Sequence, residues 1–115
     1  MNKDRLFLIK PPFTDPEYPG SQFYCWHCAL IEGVLSYFPS CIENLEVNRI
    51  EWKRPRMPIV NLLGEANQAL PVLILAKSGD FTEDLNSANG NYFSNEPMKI
   101  LRLLAERHRF PEAHP

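Results

Sequence analysis

Cys25 and Cys28 are separated by two residues and stand immediately before a run of residues with helical periodicity. Apolar residues in that run recur at the spacing of one helical face, and Pro39 ends the pattern. The pattern therefore predicts a helix whose start carries a pair of thiols. The apolar positions of the predicted face are Leu30, Ile31, Val34, Leu35 and Phe38.

Short apolar runs alternate with helical patterns along the rest of the chain, which predicts an α/β fold in the order β-α-β-α-β-β-α. We expect a mixed four-stranded sheet flanked by helices, with the second strand parallel to the first and carrying a bulge. Strands are predicted near residues 5–10, 45–53, 70–75 and 91–93, helices near 29–38, 58–66 and from 97 onward, and a loop over 77–90.

Residues 11–22 carry four of the prolines and a glycine, which exclude regular structure. The sequence therefore predicts a long proline-rich loop between the first strand and the cysteines. Three aromatic residues give this loop apolar contacts, so we expect it to cover the site: Phe13, Tyr18 and Phe23.

Length and charge restrict the classes of function. The 115 residues suffice for one domain, predicted to span residues 1–115 with a frayed tail at 111–115. Twelve Lys and Arg against fourteen Asp and Glu leave a net charge of -2, which argues against nucleic-acid binding. The early apolar run at residues 6–9 is too short for a signal peptide or a membrane span, so we expect a cytoplasmic protein.

The dithiol points to redox chemistry. Unpaired backbone N–H groups at a helix start stabilise negative charge, so Cys25 is predicted to be the nucleophile. Cys28, one turn further along, would resolve the mixed disulfide by attacking Cys25. Between them, His27 could stabilise the Cys25 thiolate, and Trp26 could restrict access or offer an apolar face to a substrate.

The element order, the Cys-x-x-Cys before the first helix and the Leu70-Pro71 pair that opens the third strand resemble the thioredoxin fold. The likeness is closest to glutaredoxins and to the amino-terminal domains of glutathione transferases. The chain also resembles a small bacterial family of uncharacterised thioredoxin-like proteins. The resemblance implies that Pro71 is cis and lies beside the dithiol, and that the backbone of Leu70 pairs with a thiol-bearing substrate.

The same resemblance makes glutathione a candidate co-substrate, with no bound cofactor. Glutathione transferases grip the γ-glutamyl group with a Glu-Ser pair before the last helix; here the pair is Glu96 and Pro97. Glutaredoxins use a basic residue after the second strand for glutathione. By analogy, Arg54 and Arg56, with Lys53, could clamp a substrate carboxylate.

Three hypotheses follow. The first is a thiol–disulfide oxidoreductase acting on a thiol or disulfide substrate, either glutathione or a protein, without nucleic-acid or membrane partners. A non-catalytic thioredoxin-like binding or dimerisation module is the second. The third is a small zinc protein, for which His27 or Cys41 would have to join the two cysteines; because no second cysteine pair exists, no metal ligands are predicted.

Overall fold

Apolar runs form the strands and the periodic segments form three helices in the computed structural model, which describes residues 3–77 and 81–115. A short 3₁₀ turn, Pro39–Ile42, follows the first helix. The elements in chain order are β1 (Asp4–Ile9), α1 (Trp26–Tyr37), β2 (Leu45–Ile50), α2 (Met57–Leu63), β3 (Val72–Ile74), β4 (Asn86–Ala88), β5 (Asn91–Ser94) and α3 (Pro97–His108).

The strands form one mixed five-stranded sheet in the order β2-β1-β3-β5-β4. β1 pairs in parallel with β2, and α1 is the crossover that parallel neighbours require. The predicted parallel pairing is therefore confirmed. The register runs without interruption from Asp4 opposite Leu45 to Ile9 opposite Ile50, so the predicted bulge in the second strand is wrong.

The predicted sheet of four strands is also wrong, because β4 adds a fifth at the edge. β4 pairs with β5 through a two-residue turn at Asn89 and Gly90, whose φ angles are 49° and 77°. Two consecutive positive φ angles are typical of the tight hairpin turn that Asn-Gly favours. β4 itself is polar and shows no apolar alternation, so the segment was predicted as loop; part of that predicted loop, 78–80, lies outside the described residues.

The two faces of the sheet carry separate apolar cores. On one face α1 and α3 pack against β1 and β3, and on the other α2 packs against β1, β3 and β5. Of the five predicted inward positions on α1, Ile31 and Leu35 are buried, whereas Leu30 is 44% exposed and does not belong to the core. The buried residues contributed by helices are Cys28, Ile31, Leu35, Ile100, Leu103 and Leu104 on the first face, and Ile59 and Leu63 on the second.

A buried charge cluster joins the start of β1 to the end of α3. Asp4 is 3% exposed, and its carboxylate accepts hydrogen bonds from Arg107 at 2.7 and 2.9 Å and from His108 Nε2 at 2.8 Å. The N–H of Ala76, just after β3, donates a further bond to Asp4 Oδ1 at 2.7 Å. The cluster therefore ties three elements together at one end of the sheet.

The proline-rich loop is held to the rest of the fold at its aromatic residues. Phe13 and Phe23 exchange backbone hydrogen bonds of 2.9 and 2.7 Å in an isolated antiparallel bridge. The Phe13 ring also stacks on Trp52, with centroids 5.4 Å apart and planes inclined by 6°. Within residues 3–77 and 81–115, none of the helices combines the length and apolar character needed to cross a membrane.

Candidate functional site

Cys25 is the N-cap residue of α1, as the sequence predicts. Its extended backbone (φ -80°, ψ 113°) turns the side chain over the first helical turn. The Sγ atom accepts a hydrogen bond from the backbone N–H of Cys28 at 3.2 Å, and the residue is only half-buried. A negative charge on this sulfur would thus be stabilised by a helix N-terminus while the sulfur remains within reach of a substrate.

Cys28 lies in a different environment, although it is only one turn further along α1. The residue is 2% exposed, and its Sγ accepts a bond of 3.5 Å from the N–H of Ile9 at the end of β1. Burial, followed by the hydrogen bond with Cys25 and the charges of Cys25 and Glu32, raises the pKa of Cys28 to about 12. This thiol is therefore protonated at neutral pH.

Both cysteines line a pocket of about 330 Å³. Glu32 borders the same pocket and pairs with Arg49 of β2 through two hydrogen bonds of 2.7 Å each. These two bonds hold the positive charge of Arg49 next to the Glu32 carboxylate and partly compensate its negative charge. The remaining lining is mostly apolar: Ile9, Pro11, Tyr24 and Ala29.

The residues on either side of Cys25 in the sequence are aromatic and exposed. Trp26 is 67% exposed and Tyr24 is 66% exposed, so neither ring closes the pocket over Cys25. The His27 ring lies against the Trp26 indole, with centroids 3.7 Å apart. In the described part of the chain no hydrogen bond links His27 to either thiol, so its predicted action on the Cys25 thiolate stays a prediction.

Pro71 is buried at the start of the third strand, and the Leu70–Pro71 peptide bond is cis, as the resemblance implies. The side-chain amide of Asn95 binds the carbonyl oxygens on both sides of Leu70, those of Ala69 at 2.8 Å and Pro71 at 3.2 Å. Within the described residues the Leu70 main chain makes no hydrogen bond, so its polar groups are free to pair with a ligand. The side chain of Leu70 packs against both cores.

The two arginines predicted to clamp a carboxylate have different environments. Arg56 is 6% exposed, and its guanidinium donates to the carbonyl oxygens of Trp52 and Gln68 at 2.9 and 2.7 Å. Burial lowers the pKa of Arg56 and the repulsion of Arg54 adds to this effect, whereas the charges of Cys28 and Cys25 oppose it. Arg56 thus braces the β2–α2 connection within electrostatic range of the dithiol, while Arg54 is exposed.

Glu96 is the N-cap residue of α3, and its carboxylate pairs with Lys99 at 3.2 Å. The Ser94 hydroxyl accepts the Glu96 N–H at 3.1 Å. Glu96 does not border the pocket that contains the two cysteines.

Cys41 lies in the 3₁₀ turn, where its Sγ is 3.7 Å from the carbonyl oxygen of Arg109. Over residues 3–77 and 81–115, no group of three or more His, Cys, Asp and Glu side chains lies close enough together to hold a metal ion.

Of the predicted site residues, the structure brings Cys25 and Cys28 into one pocket and adds residues that the sequence did not single out. Glu32 is the most important addition. Its position four residues after Cys28 on the same helix is a signal that could have identified it. Ile9 and Pro11 come from the end of β1 and its following loop, and nothing local in the sequence links them to the cysteines.

No curated protein and no solved structure matches the chain. A family model described as a protein of unknown function, DUF3088, matches residues 3–112. Since the match extends over nearly the whole chain, the protein belongs to the DUF3088 family.

Proposed function

We propose that the protein is a thiol–disulfide oxidoreductase in which Cys25 is the nucleophile and Cys28 resolves the mixed disulfide. The observation that carries this proposal is the unequal environment of the two sulfurs. Cys25 is a half-buried residue whose Sγ accepts an N–H at the start of α1, whereas Cys28 is buried one turn below it. Thiol–disulfide exchange in two steps needs one sulfur that a substrate can reach and a second, protected sulfur that resolves the mixed disulfide.

The Cys25 thiolate attacks a substrate disulfide, forms a Cys25–substrate disulfide and releases the first substrate thiolate. Cys28 then loses its proton to solvent, and its sulfur attacks Cys25 Sγ and releases the second substrate thiolate. The dithiol has lost two electrons and the substrate disulfide has gained them; an external thiol or a reductase returns them to the dithiol.

A thioredoxin-like fold is part of the proposal. Without the edge strand β4, the remaining strands make a mixed four-stranded sheet in the order β2-β1-β3-β5, with helices on both faces. The dithiol at the start of α1 and Pro71 before β3 agree with that fold. We assign the reaction to the cytoplasm, where thiols are kept reduced.

The surroundings of Cys25 support an apolar substrate surface. Tyr24 lines the same pocket as Cys25 and is exposed, and Trp26, next to Cys25 in the sequence, is exposed as well. In the described residues the main chain of Leu70 makes no hydrogen bond. Glutathione is retained as a candidate co-substrate, with Arg54 as the cation available to a carboxylate. Arg56 contributes its charge from a buried position instead of by direct contact.

The test is reduction of 2-hydroxyethyl disulfide, with either glutathione or NADPH and a thioredoxin reductase as the electron source. Cys25→Ser should reduce turnover to background. Cys28→Ser should lose turnover with the reductase and accumulate a mixed disulfide on Cys25, detectable by mass spectrometry. Cys41→Ser is the matched control, since Cys41 is also half-buried, and it should keep wild-type turnover.

Wild-type protein that is inactive with both electron sources would contradict the proposal, as would unchanged turnover in Cys25→Ser. Equal losses in Cys25→Ser and Cys41→Ser would also contradict it, because the motif would then have no special role.

One observation favours a second candidate, a non-catalytic interaction module. The outer surface of α1 exposes three large apolar side chains, Trp26, Leu30 and Tyr37. Exposed apolar groups that lie together on one face commonly mark a binding surface. A Trp26→Ala variant that lost self-association or partner binding, in a protein whose cysteines form no reversible disulfide, would select this candidate over the enzyme.

A further inference from the structure

Most cationic side chains of this protein already have a partner. Of the twelve Lys and Arg residues, all but three form an ion pair with a carboxylate or donate to a backbone carbonyl in the described part of the chain. The three without such a partner are Lys53, Arg54 and Arg109. Two of these three are adjacent in sequence.

Lys53 and Arg54 both line one pocket of about 680 Å³, twice the volume of the pocket that contains the dithiol. This volume falls within the range of small-molecule sites, roughly 300–1,000 Å³. The pocket lies between the proline-rich loop and the connection from β2 to α2. Its lining residues are Pro12, Phe13, Thr14, Pro16, Gln22, Glu51, Trp52, Lys53 and Arg54.

The apolar wall of this pocket is a preformed aromatic pair. Phe13 and Trp52 stack with centroids 5.4 Å apart and planes inclined by 6°. Phe13 is fixed from the other side by its two backbone bonds with Phe23. The loop residues that build the wall are therefore held in place before any ligand binds, which reduces the entropic penalty of binding.

The charge of the pocket is positive. Glu51 is the single acidic residue in the lining, and Lys10 lies 3.9 Å from its carboxylate and compensates part of its charge. Lys53 and Arg54 have no such compensation among the described residues. Thr14 and Gln22 add neutral hydrogen-bonding groups.

We infer that this pocket binds a small organic anion that carries a flat apolar group. The anionic group would bind Lys53 and Arg54. The planar guanidinium group of Arg54 can donate two parallel hydrogen bonds to one carboxylate. The flat group would pack against Phe13 and Trp52. The inference does not depend on the dithiol, because neither Cys25 nor Cys28 borders this pocket.

The test uses three probes that separate charge from shape. 2-Naphthoate carries both features, 2-naphthamide has the ring without the charge, and inorganic phosphate has the charge without the ring. Each is titrated into ¹⁵N-labelled full-length protein while backbone amide and Trp indole resonances are followed. We expect saturable shifts with 2-naphthoate at Phe13, Arg54 and the Trp52 indole, and affinity for 2-naphthamide lower by roughly threefold to tenfold.

Arg54→Gln should weaken 2-naphthoate binding by roughly threefold or more, whereas Arg109→Gln should leave it unchanged. The two variants are matched, since each removes one arginine without a partner in the described structure. Equal effects of the two variants would overturn the inference. So would 2-naphthoate shifts located at the dithiol, equal affinity for the amide, saturable phosphate binding of the same strength, or no saturable binding of 2-naphthoate at the pocket.

Discussion

The backbone N–H of Cys28 donates a hydrogen bond of 3.2 Å to the Sγ atom of Cys25, so one cysteine supports the sulfur of the other. The Cys28 sulfur itself lies inside the core, where it accepts the N–H of Ile9. The two cysteines of one motif therefore differ in exposure, and burial raises the pKa of Cys28.

The resolving step should accelerate with pH. Burial is the largest cause of the raised pKa of Cys28, and it persists when Cys25 is in a mixed disulfide, whereas the hydrogen bond and charge of Cys25 are then lost. The thiolate fraction of Cys28 at neutral pH is therefore small and grows about tenfold per pH unit. In a Cys41→Ser background, 5,5′-dithiobis(2-nitrobenzoate) should give a second release of thionitrobenzoate whose rate is independent of reagent concentration. That rate should rise steadily between about pH 7 and pH 9; a rate that levels off near pH 7 would contradict the assignment of Cys28.

Glu32→Gln should speed the resolving step at a given pH. The negative charge of Glu32 is among the causes that raise the Cys28 pKa, so removing it lowers the pKa and increases the thiolate fraction. We expect the rate of the second thionitrobenzoate release to increase by roughly twofold to tenfold. The exposed control variant Glu112→Gln should leave this rate unchanged. A slower phase in Glu32→Gln would instead make Glu32 the acceptor of the Cys28 proton.

Stability should fall in acid through Asp4. Burial by itself would raise the pKa of Asp4, but hydrogen bonds from His108, Arg107 and the Ala76 N–H hold it well below its usual value of 3.8. A carboxylate with a lowered folded-state pKa stabilises the fold above its unfolded value and loses that contribution as the pH falls further. Urea unfolding should therefore show a decline in the free energy of unfolding that begins near pH 4 on acidification.

Asp4→Asn should reduce the free energy of unfolding by about 3–5 kcal/mol at pH 7, because Arg107 and His108 lose a buried partner. The variant should also show a shallower acid dependence than wild type. Urea curves in which Asp4→Asn and Glu112→Gln are equally stable would contradict the structural role of this cluster.

The same substitution should have a large effect on stability at Arg56 and almost none at Arg54. Arg56→Met removes charged donors from the carbonyl oxygens of Trp52 and Gln68 and should destabilise the fold by about 2–4 kcal/mol. Arg54→Met, on an exposed side chain, should change stability by less than about 0.5 kcal/mol. Chemical denaturation of both variants measures the difference, and similar values for the two would be inconsistent with the buried position of Arg56.

Replacement of two different glycines by alanine should change the stability of the protein in opposite directions. Gly33 lies within α1 with open space around its Cα, so Gly33→Ala should stabilise the protein by about 0.5–1 kcal/mol through helix propensity. Gly90 has a φ of 77° in the β4–β5 turn, so Gly90→Ala should destabilise it by about 1 kcal/mol. Thermal unfolding of both variants would show a higher midpoint for the first and a lower midpoint for the second.

Local patterns in the sequence were sufficient for the features that place the dithiol. Periodicity and Pro39 bounded α1, Pro97 marked the start of α3, and the crossover rule implied that β2 runs parallel to β1. β4 was missed because its residues are polar, although Asn89 and Gly90 supplied a hairpin signal. Leu30 lies on the predicted apolar face of α1 and is nevertheless outside the core. The spacing of apolar residues predicts the direction of the buried face but does not determine how wide that face is.

The rest of the site depends on contacts between residues that are distant in the chain. Asp4 and His108 are 104 positions apart, and no local pattern joins them. The raised pKa of Cys28 follows from burial against β1 and from the nearby Glu32, which becomes evident only once α1 is docked on the sheet. Arg56 is predicted to clamp a carboxylate, but its guanidinium donates to the carbonyl oxygens of Trp52, before α2, and of Gln68, after α2, which come together only in the folded chain.

The most direct test of the proposed dithiol chemistry is rapid-quench mass spectrometry of the wild-type protein mixed with 2-hydroxyethyl disulfide. We predict an adduct that forms first on Cys25 and then converts to a Cys25–Cys28 disulfide with loss of the adduct, while Cys41 stays a free thiol. An adduct that appears first on Cys28 or Cys41, or one that stays on Cys25 without forming the internal disulfide, would contradict the account.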